Sequence, residues 1–301
     1  MMSSEAEAEA DVCCANCGIA EVDDIKLEEC DGCDLVKYCS DKCREEHRGE
    51  HNEECKKRAK ALHDRKLFTQ PDETHLGECP LCFLPLPVDT RKSMFYACCS
   101  QTGCRGCVLA NYMSNRDHRC PFCREPATGK EEYNKRTMKR IKANDPAALR
   151  HMGRRCYDKG DYDSAFEYLT RAAELGDADA HCNLGLMYWE GKGVGKDEEK
   201  KVHHLETAAI GGHPLARDAL AVIEERNGNM DRAVKHFIIA AKLGYDGSMK
   251  RLWKHYSDGN ITKEDLDTTL RAHQAAIDEM KSEQRDAAEV AFQGFSEWTT
   301  S

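Results

Sequence analysis

The sequence predicts small metal-stabilised α+β modules followed by an all-α helical-repeat solenoid. Sixteen of the 18 cysteines lie between residues 13 and 123, mostly in pairs separated by two or three residues. Pairs at this spacing are typical of metal ligands. Beyond them, similar segments begin at Ala148, Ala180, Ala216 and Ser248. These starts are 32, 36 and 32 residues apart, and self-similarity at such intervals is typical of stacked helical hairpins.

Clustered cysteines form either a disulfide framework or metal sites, and the cellular compartment decides between them. Residues 1–12 read as an acidic, disordered tail without the basic start and apolar run of a signal peptide. No segment reaches the roughly 20 apolar residues of a membrane span. We therefore expect a cytoplasmic or nuclear protein without a membrane partner, in which the cysteines hold metal.

The charge of the chain argues against nucleic acid as a partner. Its formal net charge is −10, and contacts to phosphates dominate nucleic-acid affinity. Residues 79–146 are an exception, with 12 Lys and Arg against 6 Asp and Glu. We expect this positive charge to offset neighbouring metal-bound thiolates.

The first candidate ligand set has eight members, enough for two closed tetrahedral zinc sites without an open position for a catalytic water. The x2 gaps form tight knuckles, and the x3 gaps are i,i+4 steps that place two side chains on one helix face. The set is Cys14, Cys17, Cys30, Cys33, Cys39, Cys43, His51 and Cys55. Cys13 and His47 are spare, a free thiol and a helix-surface histidine.

With Tyr38 before Cys39 and seven residues between Cys43 and His51, this pattern resembles the MYND zinc finger. The resemblance implies a finger over 13–55 with interleaved pairing, the first, second, fifth and sixth ligands binding one zinc and the other four the second. The family's usual tryptophan between the sixth and seventh ligands is absent, which puts an aromatic peptide-binding surface in doubt. A helical linker is expected over 56–78.

The second candidate set also has eight members, all cysteines: Cys79, Cys82, Cys98, Cys99, Cys104, Cys107, Cys120 and Cys123. The order resembles a RING finger over 79–126, which implies a first zinc on Cys79, Cys82, Cys104 and Cys107. Gln101 stands where most RING fingers have a histidine.

In an all-cysteine variant, Cys98 and Cys99 both join Cys120 and Cys123. Otherwise one of the adjacent pair is a bystander, because neighbouring side chains diverge in extended backbone. The first alternative gives four zinc ions per chain and the second three.

The RING likeness further implies that the module recruits a ubiquitin-conjugating enzyme and contributes no catalytic residue of its own. Leu81 and Pro121 occupy the usual apolar contact positions, and Arg124 stands at the usual cationic position after the last ligand. The alternative is that Leu81 packs the knuckle and Arg124 is an ordinary surface charge.

A helical linker (127–146) should lead into helical repeats over 147–260. The unit with Tyr188, Trp189 and Asp197 resembles a Sel1-like repeat, while the first and third units lie nearer the tetratricopeptide form. Thr262 then opens a capping helix (261–290), followed by a tail (291–301). No cofactor site other than zinc is expected.

Two functions remain open. In one, the chain is a RING-type ubiquitin-protein ligase whose repeats select the substrate. In the other, it is a non-enzymatic adaptor that joins protein or peptide-motif partners through the fingers and the repeats.

Overall fold

The computed structural model describes residues 13–21, 25–115 and 119–296. The chain divides into two compact units, Met1–Thr69 and Gln70–Ser301. The expected acidic tail (1–12) lies outside the described residues.

The first unit contains a minimal sheet and one long helix. Strands β1 (Glu28–Glu29) and β2 (Lys37–Tyr38) are antiparallel. Helix α1 (Asp41–Phe68) begins where the Ser40 side chain accepts a hydrogen bond from the Cys43 N–H and continues to Phe68. Its short hydrophobic core includes Leu27, Tyr38 and two cysteines, so apolar packing alone contributes little to this unit.

The second unit opens with a cysteine-rich module. After a 3₁₀ helix (Thr90–Lys92), strands β3 (Ser93–Tyr96) and β4 (Gln101–Cys104) pair in antiparallel register. Helix α2 (Arg105–Asn115) follows β4 directly, so the hairpin and the helix position Cys104 and Cys107 together.

Helices then follow one another with short connections. The first four are α3 (Lys130–Lys142), α4 (Pro146–Asp158), α5 (Tyr162–Glu174) and α6 (Ala178–Glu190). The next four are α7 (Glu198–Ile210), α8 (Pro214–Arg226), α9 (Met230–Lys242) and α10 (Asp246–Ser257). The pairs α4–α5, α6–α7 and α8–α9 are hairpins, and each packs on the next.

Small residues allow these hairpins to close. The alanine pairs near the ends of α5, α7 and α9 are buried, which lets the helix backbones approach. The glycine after each pair has a left-handed backbone, with φ of 84° at Gly176, 83° at Gly212 and 85° at Gly244. A glycine tolerates this conformation without a steric penalty, so the chain can reverse directly after each helix.

The C-terminal region forms two helices where the sequence suggested one. Thr262 caps α11 (Lys263–Glu279), as expected, by accepting from the Asp265 N–H. That helix ends at Glu279, and α12 (Glu283–Ser296) begins after Ser282, whose side chain accepts from the Arg285 N–H. The break lets α12 turn and pack along α2, a contact that buries Ala288.

Among the helices of the described ranges, none is both long and apolar enough to cross a membrane.

The helix contact at Gly185 gives a test of the repeat packing. A Cβ at Gly185 would lie 2.8 Å from Cγ of the fully buried Leu205. We expect Gly185→Ala to lower the free energy of unfolding by about 1–3 kcal/mol through overpacking, measured by urea denaturation of the full chain. The control is Gly195→Ala, where the added Cβ meets open space. Equal stability of the two variants would contradict the packing argument.

Candidate metal centres

The first tetrad lies around the start of α1. Cys14 and Cys17 come from the N-terminal knuckle, Cys39 follows β2, and Cys43 lies in the first turn of α1. The sulfur of Cys39 is 3.5 Å from that of Cys17 and 3.6 Å from that of Cys43. The four donors therefore surround one point.

The second tetrad uses the next turns of α1. His51 and Cys55 are one helical step apart and face Cys30 and Cys33, which lie between β1 and β2. The sulfurs of Cys30 and Cys55 are 3.7 Å apart, and Nε2 of His51 is 3.1 Å from the Cys33 sulfur. The two tetrads are interleaved along the chain, the grouping that the family resemblance implied.

The third tetrad is the most buried. Cys79 and Cys82 meet Cys104 and Cys107 at the junction of β4 and α2, with 3.9 Å between the sulfurs of Cys82 and Cys104. The Cys104 N–H donates to the Cys79 sulfur, and the Cys107 N–H donates to the Cys104 sulfur. Such N–H donors stabilise thiolate charge.

The fourth tetrad contains both adjacent cysteines. The Cys98 sulfur lies 3.4 Å from that of Cys123, and the Cys99 sulfur lies 3.7 Å from that of Cys120. The two side chains converge because this backbone is a turn, closed by the Ser100 N–H donating to the Tyr96 carbonyl. The objection that neighbouring side chains diverge applies to extended backbone and does not hold here.

These distances suit zinc. A tetrahedral ion with Zn–S bonds near 2.3 Å places its sulfur ligands about 3.8 Å apart, close to the sulfur spacings of all four tetrads. Burial and hydrogen bonds with the sulfurs of Cys30 and Cys33 raise the pKa of Cys55 to about 12, and burial raises the pKa of Cys107 to about 12. Burial and crowding thus disfavour the thiolate form of these ligands unless a cation lies among them, and four donors complete the coordination of a structural zinc site.

Arg285 is a supporting residue that the sequence analysis missed. From α12 it donates to the Cys82 sulfur at 3.5 Å and to the carbonyls of Leu84 and Pro85 at 3.2 and 2.8 Å. Its positive charge lies against the third tetrad although Arg285 and Cys82 are 203 residues apart in the sequence. No local pattern around Arg285 signals this role. The charge that offsets this tetrad therefore comes partly from α12, whereas we had expected it from residues 79–146.

The proposed partner-contact residues have different environments. Leu81 is 37% exposed, and the neighbouring Phe83 is 71% exposed. Pro121 is half-buried, and Arg124 is exposed with a left-handed backbone φ of 63°. An apolar surface at the third tetrad and an exposed arginine beside the fourth are thus present.

A fifth group of potential ligands is an ion-pair cluster. The Asp179 carboxylate contacts Nε2 of His75 and Nε2 of His213, each at 3.2 Å, and also binds Arg150. Nδ1 of His213 accepts from the Ala216 N–H, so Nε2 carries the proton and donates to Asp179. A protonated nitrogen cannot ligate a metal.

The same contacts set the charge of this cluster. Burial raises the pKa of Asp179, but the hydrogen bond from His213, the close contact with His75 and the charge of Arg150 hold it well below its ordinary value. The cluster therefore carries a stable carboxylate that fixes the segment around His75 to the repeats. Sequence spacing did not reveal it, because its members lie far apart in the chain.

The fold and the tetrads define a zinc-binding, cysteine-rich region followed by a helical solenoid. Comparison with known families agrees: residues 14–55 match the MYND finger, and residues 146–177, 178–213 and 225–245 match the Sel1 repeat. The chain thus carries a MYND finger and Sel1 repeats, and residues 79–123 lie outside these matches. No curated protein matches the chain.

Three solved structures resemble parts of the chain. A Sel1 repeat protein from Oxalobacter formigenes is 26% identical, with a TM-score of 0.45, over 58% of this chain and 71% of that one. A protective antigen of uropathogenic Escherichia coli with an SLR fold is 19% identical over 63% and 40%, with a TM-score of 0.41. An immunity protein of Pseudomonas aeruginosa is 20% identical over 61% and 67%, with a TM-score of 0.34.

The tetrads predict how much zinc the chain binds. We expect four zinc ions per chain by elemental analysis, and one fewer in each of Cys33→Ser, Cys98→Ser and Cys99→Ser. A structural site supplies roughly 10–16 kcal/mol of folding free energy, so a damaged tetrad should lose its ion and its local fold together. Cys13→Ser, outside the tetrads, is the control and should retain all four. Three ions in the parent chain, or retention of all four by Cys98→Ser or Cys99→Ser, would contradict the joint role of the two cysteines.

Proposed function

We propose that this chain is an intracellular scaffold that binds partner proteins through its zinc modules and its helical repeats. The combination of a MYND finger with Sel1 repeats carries the proposal. Each zinc tetrad is closed, so its metal would stabilise structure and leave no position for a substrate. Stacked helical repeats present extended surfaces suited to protein partners.

Aromatic exposure indicates where the repeats bind. Tyr188 is buried, and Trp189 lies between two cations, 4.9 Å from Lys201 and 5.1 Å from Arg226. These rings belong to the repeat packing. Trp253 on α10 is 48% exposed, and Tyr256 one turn later is 38% exposed. Tryptophan and tyrosine dominate binding energy at protein interfaces, so α10 is the best-supported contact surface of the solenoid.

The scaffold proposal is tested with the full chain. Partners crosslinked in cells are identified, and one is purified so that its dissociation constant can be measured by calorimetry. We expect Trp253→Ala to weaken binding at least about tenfold, the size typical of an aromatic anchor. Val290→Ala, which changes another exposed apolar side chain, should leave binding unchanged. If no purified protein binds the chain directly, the proposal fails.

A second candidate function is that of a RING-type ubiquitin-protein ligase. The exposed Leu81 and Phe83 beside the third tetrad and the exposed Arg124 beside the fourth favour it. Such a module accelerates transfer by holding a loaded conjugating enzyme in a reactive posture, which is catalysis by positioning. The repeats would then hold the substrate.

Ubiquitin discharge from a panel of loaded conjugating enzymes tests this activity. If it exists, the parent chain stimulates discharge, and Leu81→Ala and Arg124→Ala each reduce the rate about tenfold or more, because each removes one contact of the positioned pair. Lys139→Ala, a neutralised exposed charge on α3, should behave as the parent. Absence of stimulation with every enzyme of the panel would eliminate the ligase and leave the scaffold.

A further inference from the structure

A cleft of about 470 Å³ lies between the β3–β4 hairpin and α4, all within the second unit. Its size is within the range of sites for small ligands and short peptides, about 300–1,000 Å³. Its charged lining is one-sided, with five arginines against two aspartates. These are Arg91, Arg105, Arg150, Arg154 and Arg155, with Asp158 and Asp179.

Helix geometry accounts for the concentration of charge. Arg150 and Arg154 are an i,i+4 pair on α4, and His151 and Arg155 form a second such pair beside it. Residues four apart lie on the same helix face. The opposite face, with Leu149, is buried in the first repeat, so the cationic face points away from the core.

Two of the five arginines are neutralised by carboxylates. Arg150 pairs with Asp177 and Asp179 inside the repeats, and Arg91 pairs with Asp89. These two charges are therefore largely compensated before any ligand arrives.

The other three have no carboxylate partner within the described part of the chain. Arg154 donates to the hydroxyl of Thr90 at 2.6 Å, and Arg155 donates to the Asn134 side chain at 3.1 Å. The Arg105 guanidinium lies 4.8 Å from the centre of the Phe292 ring, and its buried Nε meets no hydrogen-bond acceptor among the residues that the structure describes. Three guanidinium groups thus line one cleft without an ion-pair partner among the described residues, in a chain whose net charge is −10.

A histidine in the wall of the cleft is affected by this charge. Burial, reinforced by the positive charges of Arg155, Arg150 and Arg154, lowers the pKa of His151 to about 4. Its neutral ring stacks on Phe95, with 4.7 Å between ring centroids. The cleft therefore combines an aromatic, uncharged wall with a cationic rim.

The lining selects among anionic ligands. Asp158 in the lining and Asp89 beside it would repel a polyanion that carries charge at every step, such as a nucleic acid strand. In a peptide whose carboxylates are separated by uncharged residues, the uncharged residues can lie beside these two aspartates, so repulsion is small. Guanidinium groups bind the carboxylates through charge-assisted hydrogen bonds. The aromatic wall would take an apolar side chain between those carboxylates.

We infer that this cleft binds a short acidic peptide segment of a partner protein, with carboxylates on Arg154, Arg155 and Arg105 and an apolar side chain against Phe95. The inference rests on the proposed scaffold function and specifies one class of partner for it. The site is distinct from the aromatic surface of α10.

A random-sequence peptide display library, selected on the full-length chain, tests the inference. The selected peptides should be enriched in Asp and Glu interspersed with apolar residues. A fluorescein-labelled copy of the most enriched peptide then serves as the probe for anisotropy titrations. Because exposed charge pairs are screened by salt, its affinity should fall as NaCl is raised.

The decisive variant is Arg154→Glu. It should weaken binding of the probe by at least about tenfold, because an attractive contact becomes a repulsive one. The thermal midpoint is measured for each variant, because the substitution removes the hydrogen bond to Thr90 while it reduces repulsion among neighbouring arginines; loss of binding at an unchanged midpoint then does not come from misfolding. Arg271→Glu makes the same charge change at an exposed position of α11 and should bind as the parent does.

The outcomes separate the cleft from the scaffold. If the selected peptides are not enriched in acidic residues, or if Arg154→Glu leaves their affinity unchanged, the inference of a peptide site in the cleft is wrong. The scaffold proposal is not affected by either result. Displacement of the probe by a single-stranded oligonucleotide more effectively than by unlabelled peptide would also overturn it, in favour of a nucleic-acid site. Failure to select any peptide, together with failure to find a direct protein partner, would overturn both.

Discussion

The convergence of cysteine sulfurs, and of the His51 nitrogen, on four tetrahedral points is the constraint on which the fold of the first 126 residues rests. Among the described residues of that region, buried hydrophobic side chains are few, and most of them are cysteines of the tetrads. The two-stranded sheets of this region, β1–β2 and β3–β4, are too small to be stable in water by themselves. Because thiolates this close repel one another, the same residues that supply the core are suited to holding zinc, whose charge would offset theirs.

The helical repeats are stabilised by apolar packing between helices. Its helices are short, 12 or 13 residues each between α4 and α10, and each hairpin has an apolar face that it cannot bury alone. Alanine pairs and Gly185 bring helix axes close together, and leucines such as Leu169 and Leu205 fill the space between them. Stability accumulates from one hairpin to the next.

The second cysteine module and the end of the chain are structurally interdependent. Helix α12 packs on α2, and a Cβ added at Gly106 would lie only 2.8 Å from the backbone nitrogen of Arg285. Arg285 in turn binds the Cys82 sulfur and two neighbouring carbonyls. A change in α12 can therefore reach the third tetrad, and the arginine cleft, which contains Arg105 of α2, lies in the same assembly.

The sequence by itself determined the fold class, the sixteen candidate ligands and the helical repeats, because these depend on spacing. A two-residue gap forms a knuckle wherever it occurs, and a glycine after an alanine pair ends a helix locally. Only the tertiary structure decided that Cys98 and Cys99 turn inward together, since that depends on the backbone between β3 and β4. It alone brought Arg285 to Cys82 and gathered the arginines of the cleft, because long-range contacts between side chains leave no periodic trace in the chain.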